Sequence, residues 1–321
     1  MKKVLSRGSL LKSDGKTLCE VGYSDKPIKS YSQKIIKGKG LSFKSSFSTI
    51  YYSTGVCVIL SVIRHRFHGE TRFKIFDFVN RKYIEKNVVE LLSLKNYVLN
   101  DKKELHIKNS EVALDFVDGK RKTIKYYTKK DNVLKFVGEI SNKVPCSLVA
   151  ANQNGKGFSY TMDSVGYNFR GGLRYGNKYI PLDSSDNTVV CYNSRLLTKK
   201  ESKKFAKIFA YGKQNGKDFA IILDTFSGES YVNSSTVYYD GYIHKLDDIM
   251  SVIVFGNSYK LLGSNGSLEI DFHKHILHMN NVEDSKGVEF GKLAGFINLK
   301  NGEKINFKNI NAIITYNSRV L

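Results

Sequence analysis

Tryptophan is absent from this 321-residue chain, proline occurs three times and cysteine four times. Each scarcity excludes something. With so little proline and no stretch rich in Ser, Pro or Gln, long disordered segments are not expected. Cys19, Cys57, Cys146 and Cys191 are scattered, without a Cys-x-x-Cys pair. Reduced packing thiols in a cytoplasmic protein are therefore expected, not a disulfide frame or a zinc site. No Gly-x-Ser-x-Gly elbow, phosphate loop or dinucleotide fingerprint occurs, and no cofactor is expected. Acids are few, 30 Asp and Glu against 51 Lys and Arg, and none forms an obvious acid–base pair. Long apolar runs are missing too. The longest, GVCVILSVI from Gly55 to Ile63, ends at Arg64, too short to span a bilayer and read as a buried strand. The opening MKKVLSRGSLLK is broken by Ser6, Arg7 and Gly8 and is not expected to be a signal peptide.

What is present points to β-structure. Phe and Tyr make up all of the 12% aromatic content, and such residues suit strands. Asp-Gly or Asn-Gly pairs, which tolerate the positive φ of two-residue hairpins, begin at Asp14, Asp118, Asn154, Asn215, Asp240, Asn265 and Asn301. Between them run short segments such as RFKIFDFV, SEVALDFV and SLEIDFH, several of which alternate apolar with polar residues. One helix is expected where Thr198 and Glu201 form a capping box ahead of KKESKKFAKIFA, with Phe205, Ile208 and Phe209 at helical spacing. A second, weaker one is expected over Val88 to Leu94.

VVCYNSRLL (Val189 to Leu197) is nearly repeated as IITYNSRVL (Ile313 to Leu321). A glycine turn, a lysine and an alternating strand precede each copy. Two related β-units are expected, 1–183 and 184–321, each closed by such a strand.

The formal charge of +21 would draw in acidic ligands, anionic lipid surfaces or nucleic acid. Lysines are spread along the whole chain, which disfavours a dedicated nucleic-acid face. The densest cluster, GKRKTIKYYTKK from Gly119 to Lys130, reads as a strand of interleaved Lys and Tyr or as a lysine-protected edge strand. In DFHKHILH, His273 and His275 share a strand face, but no third ligand fits the spacing, and no metal site is expected. In IRHRFHGETR, alternation puts Arg64, Arg66, His68, Glu70 and Arg72 on one face, either a grip for an anion or a solvated surface. In each Tyr-Asn-Ser-Arg copy, Asn and Arg share one face, Tyr and Ser the other.

The order of motifs resembles the domain-of-unknown-function 2804 family. The likeness runs from GSLLKSDGKTLCEVGYSDKPIKSYSQKIIKGKG through IYY (Ile50 to Tyr52), FSYT (Phe158 to Thr161) and YDGYIHKL (Tyr239 to Leu246) to FGKLAG (Phe290 to Gly295). That family is similar to a lipocalin-like group including carotenoid 1,2-hydratases and tocopherol cyclases. The resemblance implies two β-barrel-like halves holding a hydrophobic ligand. Where the family carries Trp-Asp, Asp, Asp-Trp-Gly-Arg, Glu-Asn, His and late acidic residues, this chain has Thr49-Ile50, Arg64, Cys191-Tyr192-Asn193-Ser194, Ser234-Ser235, Gly287 and Ile314-Thr315 in turn. Chemistry that used those acids is not expected here.

The expectation is thus a mainly β protein of two lipocalin-like antiparallel barrel or sandwich units in tandem, with one or two short helices. It would bind an apolar or acidic amphipathic small molecule, lined by Tyr51, Tyr52, Arg64, Tyr192 and Arg195, with Arg319 as the counterpart in the second unit. Alternatives are a lipid or isoprenoid hydratase or cyclase acting on an alkene, and an anionic-surface or nucleic-acid binder using residues 120–130, with peripheral contact to an anionic membrane.

Overall fold

The computed structural model describes residues 4–30, 42–91, 97, 104–118, 121–129, 134–141, 146–183, 188–198, 206–225, 232, 234–246, 249–275 and 287–316, with backbone alone at 154, 192–195, 198, 249–250 and 316. The first strands are β1 (Gly8–Ser9), β2 (Gly22–Ser24), β3 (Lys29–Ser30), β4 (Ser42–Tyr52), β5 (Val56–Arg64), β6 (His68–Asp77) and β7 (Lys82–Leu91). Next come β8 (Glu104–Lys108), β9 (Val112–Asp118), β10 (Lys122–Thr128), β11 (Leu134–Ser141), β12 (Cys146–Asn154), β13 (Gly157–Tyr175), β14 (Lys178–Pro181) and β15 (Thr188–Thr198). The remainder are β16 (Ala206–Gln214), β17 (Lys217–Asp224), β18 (Thr236–Tyr239), β19 (Tyr242–Lys245), β20 (Ile249–Phe255), β21 (Ser258–Gly263), β22 (Leu268–Lys274), β23 (Val288–Asn298) and β24 (Lys304–Tyr316). A 3-10 turn, Ser264–Gly266, is the one helical element among the described residues, and no helix there is long and apolar enough to cross a membrane.

Both expected helices are corrected. Ile208 and Phe209 lie in β16, and Val88 lies in β7. Strand pairing overrides the local capping signal: Ile208 sits opposite Leu223 and Ile314, and Phe209 opposite Ile222 and Ile313. Both faces of β16 are buried, so helical spacing and strand alternation are both satisfied by its apolar residues. Residues 199–205, which include the rest of the capping box and Phe205, lie outside the described residues, as do residues 92–94 of the second expected helix.

The chain forms two compact units, neither contiguous in sequence. One comprises Phe43–Val144 and Gly166–Ser194, the other Met1–Ser42, Pro145–Val165 and Arg195–Leu321. The division expected at 183/184 follows chain order, and compactness divides the chain otherwise.

In the first of these units the strand order is β7-β6-β5-β4-β15-β13-β11-β10-β9-β8. The sheet curls around one core. Phe47 on β4 meets Phe116 on β9 with ring centres 4.4 Å apart, and Phe73 on β6 stacks on Tyr126 of β10 at 4.3 Å. Gly138 and Gly171 are direct cross-strand partners. A Cβ on Gly138 would overlap the Phe169 ring, so this bare stretch of backbone is what lets the ring lie flat inside the sheet.

In the other unit the order is β19-β18-β17-β16-β24-β23-β22-β21-β20. The inner face carries Ile208, Phe219, Ile221, Phe272 and Phe307. The outer face of β16 to β18 is covered by the hairpin of β12 and the first half of β13, with Asn152 clasping the backbone of Val232 through two hydrogen bonds. The two sheets are wired alike. Each has an opening meander of four strands (β4 to β7, β16 to β19), and in each the last strand in chain order, β15 or β24, inserts between the two runs.

Candidate functional site

The inner face of the ten-stranded sheet is lined largely by aromatic rings. Strand alternation puts Phe47, Tyr51, Val58, Leu60, Phe73, Tyr126, Phe136, Tyr167 and Phe169 in one buried cluster. Tyr51 meets Phe169 edge-on at 5.4 Å, and Phe169 stacks on Phe136 at 5.0 Å. These rings fill the interior of the sheet. The mode of filling matters, because a ligand would have to turn a ring aside to enter.

The expected site residues do not converge. Tyr51 is on this inner face, whereas its neighbour Tyr52 points to the other face, buried and edge-on to Phe78 at 6.1 Å. Arg64 lies on the inner side of β5 by register, opposite Ser45 and Gly69. Tyr51 is opposite Val58, six residues from Arg64, which is about 20 Å along a strand. One small molecule does not bridge that span with two short anchors. Tyr192 and Arg195 lie in β15 with only their backbone described, and Arg319 lies outside the described residues.

Sequence reading overlooked a more compact polar group. Lys122, Ile124 and Tyr126 alternate inward from β10, and this strand is internal, paired with both β9 and β11. The edge-strand reading of residues 119–130 is therefore corrected. The Lys122 ammonium pairs with Asp118 at 2.5 Å and sits 5.3 Å from the centre of the Tyr167 ring. Burial pulls the Lys122 pKa down, but Tyr167 and Asp118 more than offset it, leaving a firmly protonated cation. Next to it, burial pushes the Cys191 thiol up to about 12 despite the pull of Lys122 and of Thr49. At the other end of β10 the Tyr126 hydroxyl is buried and, among the described residues, has no hydrogen-bond partner. Burial, reinforced by the charge of Glu111, raises its pKa. The signal was present in KTIKYYT, where one alternating set holds Lys122, Ile124 and Tyr126. Adjacent tyrosines obscured it, because Tyr127 faces out and Tyr126 in.

Other tyrosines spend their protons on carboxylates. Tyr175 donates to Asp77, whose same oxygen accepts from Lys178 at 2.7 Å. Tyr97 donates to Glu90 at 2.8 Å, and Tyr259 to Glu289 at 2.6 Å. In the nine-stranded unit, the Lys207 ammonium bonds Asp163 and, at 2.9 Å, the Ser234 hydroxyl, and Ser234 donates to Asp224 at 3.3 Å. Ser234 and Ser235 are fully buried, so this network fastens the hairpin to the sheet without access for a substrate. Of the histidine run, His273 shares a hydrogen bond with Ser258 at 3.0 Å, while burial and Lys292 lower the pKa of His275. His278 lies outside the described residues.

Known structures with a similar fold include CghA with Sch210972, at 8% identity, covering 86% of this chain and 88% of that one with a TM-score of 0.52. Kievitone hydratase from Nectria haematococca matches at 10% identity over 86% of this chain and 89% of that one, TM-score 0.49. At such identities the first likeness establishes a lipocalin-like antiparallel β fold and no more. No curated protein matches the sequence. The sequence profile that does match, over residues 1–316, is that of the domain of unknown function DUF2804, and the chain belongs to that family.

Proposed function

We propose that the chain binds an apolar or amphipathic small molecule carrying an acidic group, on the inner face of the ten-stranded sheet. The observation that carries this reading is the Tyr126 hydroxyl, buried among aromatic rings with its proton given to no acceptor among the described residues. A buried donor left without an acceptor costs about 1–3 kcal/mol, a cost that a ligand oxygen removes. Lys122 supplies a protonated anchor at the other end of the same strand, where an incoming carboxylate takes the place of Asp118. Because rings occupy the interior, entry requires one of them to change rotamer, and association is slow. The four free thiols suit a reducing compartment, and the proposal extends to the cytoplasm.

The alternative of an alkene hydratase or cyclase needs an acidic proton donor: Tyr97, Tyr175 and Tyr259 already donate to carboxylates, and burial raises the pKa of Tyr126, which weakens it as an acid. The nucleic-acid alternative gains little from β10, whose outward Lys125 is opposite Asp115 and whose Tyr126 is buried.

Native mass spectrometry of protein purified from its own host, with titration of cis-parinaric acid, tests the binding reading. Tyr126→Phe is expected to melt higher in the empty state, and Lys122→Met to bind the fatty acid about tenfold more weakly, as for a lost hydrogen bond to a charged group. Failure of the wild-type protein to carry or take up any lipid overturns the proposal. Recovered ligand heavier by one water would move the conclusion to a hydratase.

A further inference from the structure

We infer that the β5–β6 turn is a membrane-docking tip that inserts Phe67 into an anionic lipid surface. The turn is tight, with the His65 amide donating to the His68 carbonyl at 2.8 Å. It carries Phe67 with 69% of its surface exposed, the Arg66 guanidinium 5.2 Å from the ring centre. The imidazoles of His65 and His68 stack beneath it, 4.3 Å apart and 19° from parallel, which stiffens the base of the turn.

The apolar surface continues onto the neighbouring strand. Leu91, 70% exposed, is the cross-strand partner of His68, and Val89, 56% exposed, that of Glu70. Three large apolar side chains therefore sit at one end of the sheet. Arg66 is in the turn beside them, and on the outer face that carries Leu91 and Val89 Arg72 holds Glu70 through two hydrogen bonds of 2.5 and 2.8 Å, while Arg64 is on the inner side. That bidentate grip neutralises the one carboxylate on this face of the tip among the described residues, and Glu90, opposite Gly69, lies on the inner side and accepts from Tyr97. The tip is thus net positive as well as apolar.

That combination matches a lipid interface, where an aromatic ring enters the acyl boundary and cations remain among anionic headgroups. A protein partner would need a broad complementary surface, whereas this feature is a narrow turn with its apolar group at the apex. The inference is independent of the ligand reading above.

The absence of tryptophan makes the test direct. In Phe67→Trp the only indole is at the tip. On addition of phosphatidylcholine vesicles containing phosphatidylserine, its emission is expected to shift to the blue and to be quenched by brominated acyl chains. Tyr242→Trp, on an exposed side chain of the other unit (70% exposed), is expected to do neither. Adding Arg66→Ala to the Phe67→Trp protein is expected to weaken partitioning about fivefold. The inference is overturned if the Phe67 probe does not shift, if both probes shift alike, or if partitioning into pure phosphatidylcholine is as strong. Vesicle sedimentation without a blue shift also overturns it, since that outcome reports surface adsorption of a cationic protein or of a turn reserved for another partner.

Discussion

At the scale of single residues, the buried carboxylates have the clearest consequences. Burial alone would raise the Asp77 carboxyl, but hydrogen bonds from Lys178, Tyr175 and Asn80 bring it down to about 2. A carboxylate depressed in the folded state contributes stability that is fully present above its unfolded pKa and disappears as pH falls through the folded value. The window is therefore about pH 4 down to pH 2, and the contribution about 2 kcal/mol. Asp77→Asn is expected to lose that much at neutral pH and to show a flatter acid limb, read as the difference between wild-type and variant melting temperatures across that window. Lys207 gives a second case. It is the cation that bridges Asp163 and Ser234, and among the described residues the Asp163 Oδ1 has no hydrogen-bond partner. Lys207→Met leaves buried acids uncompensated and should cost about 3–5 kcal/mol in urea unfolding. A change near zero would mean that water reaches the network. Neither group was legible in the sequence. Lys207 and Asp224 are cross-strand partners on β16 and β17, and only the hairpin packed on the sheet brings Asp163 to them.

At the scale of elements, much of the sheet was legible and the helices were not. Asn215, Asp240 and Asn265 adopt positive φ, with the following glycines also positive, as their turn pairs require. Alternation located β6, β9 and β22. The capping box at Thr198 misled because a cap is worth about 1 kcal/mol, whereas β16 buries both faces between β17 and β24. Which rings fill the interior was also hidden, since that depends on pairing register. The glycines of β11 and β13 show the point. Gly138 could have been taken for a turn residue, but it is the floor on which Phe169 rests. Gly138→Ala should displace that ring and destabilise the protein by about 1–3 kcal/mol, as overpacking does. In the same variant the Tyr51–Phe169 edge contact should be lost, visible as altered aromatic NMR shifts. Gly155→Ala is a contrasting control, since its strain is in the backbone: its φ is +57° with open space at the Cβ position.

At the scale of the whole molecule, the repeated Tyr-Asn-Ser-Arg stretch marks the strand that completes each sheet. The first copy lies in β15, between β4 and β13, and the second begins at the end of β24, between β16 and β23. Like wiring around like closing strands supports a proposal of internal duplication, with the repeats running from β4 to β15 and from β16 to β24. On that proposal the boundary belongs after Thr198. A boundary at 183/184 would remove β15 from the middle of its own sheet, leaving β4 and β13 without the strand that joins them. The two boundaries predict different fragments. A fragment of residues 1–198 retains every strand of the ten-stranded sheet, and hydrogen exchange is expected to show protected amides in β4 to β6. A fragment of residues 1–183 lacks the joining strand, so the β4–β7 meander loses its tie to β13, and the same amides are expected to exchange at near-unfolded rates. Equal protection in the two fragments would show that the four-strand meander is stable without its closing strand, and the Tyr-Asn-Ser-Arg repeat would then mark sequence kinship without completing the fold.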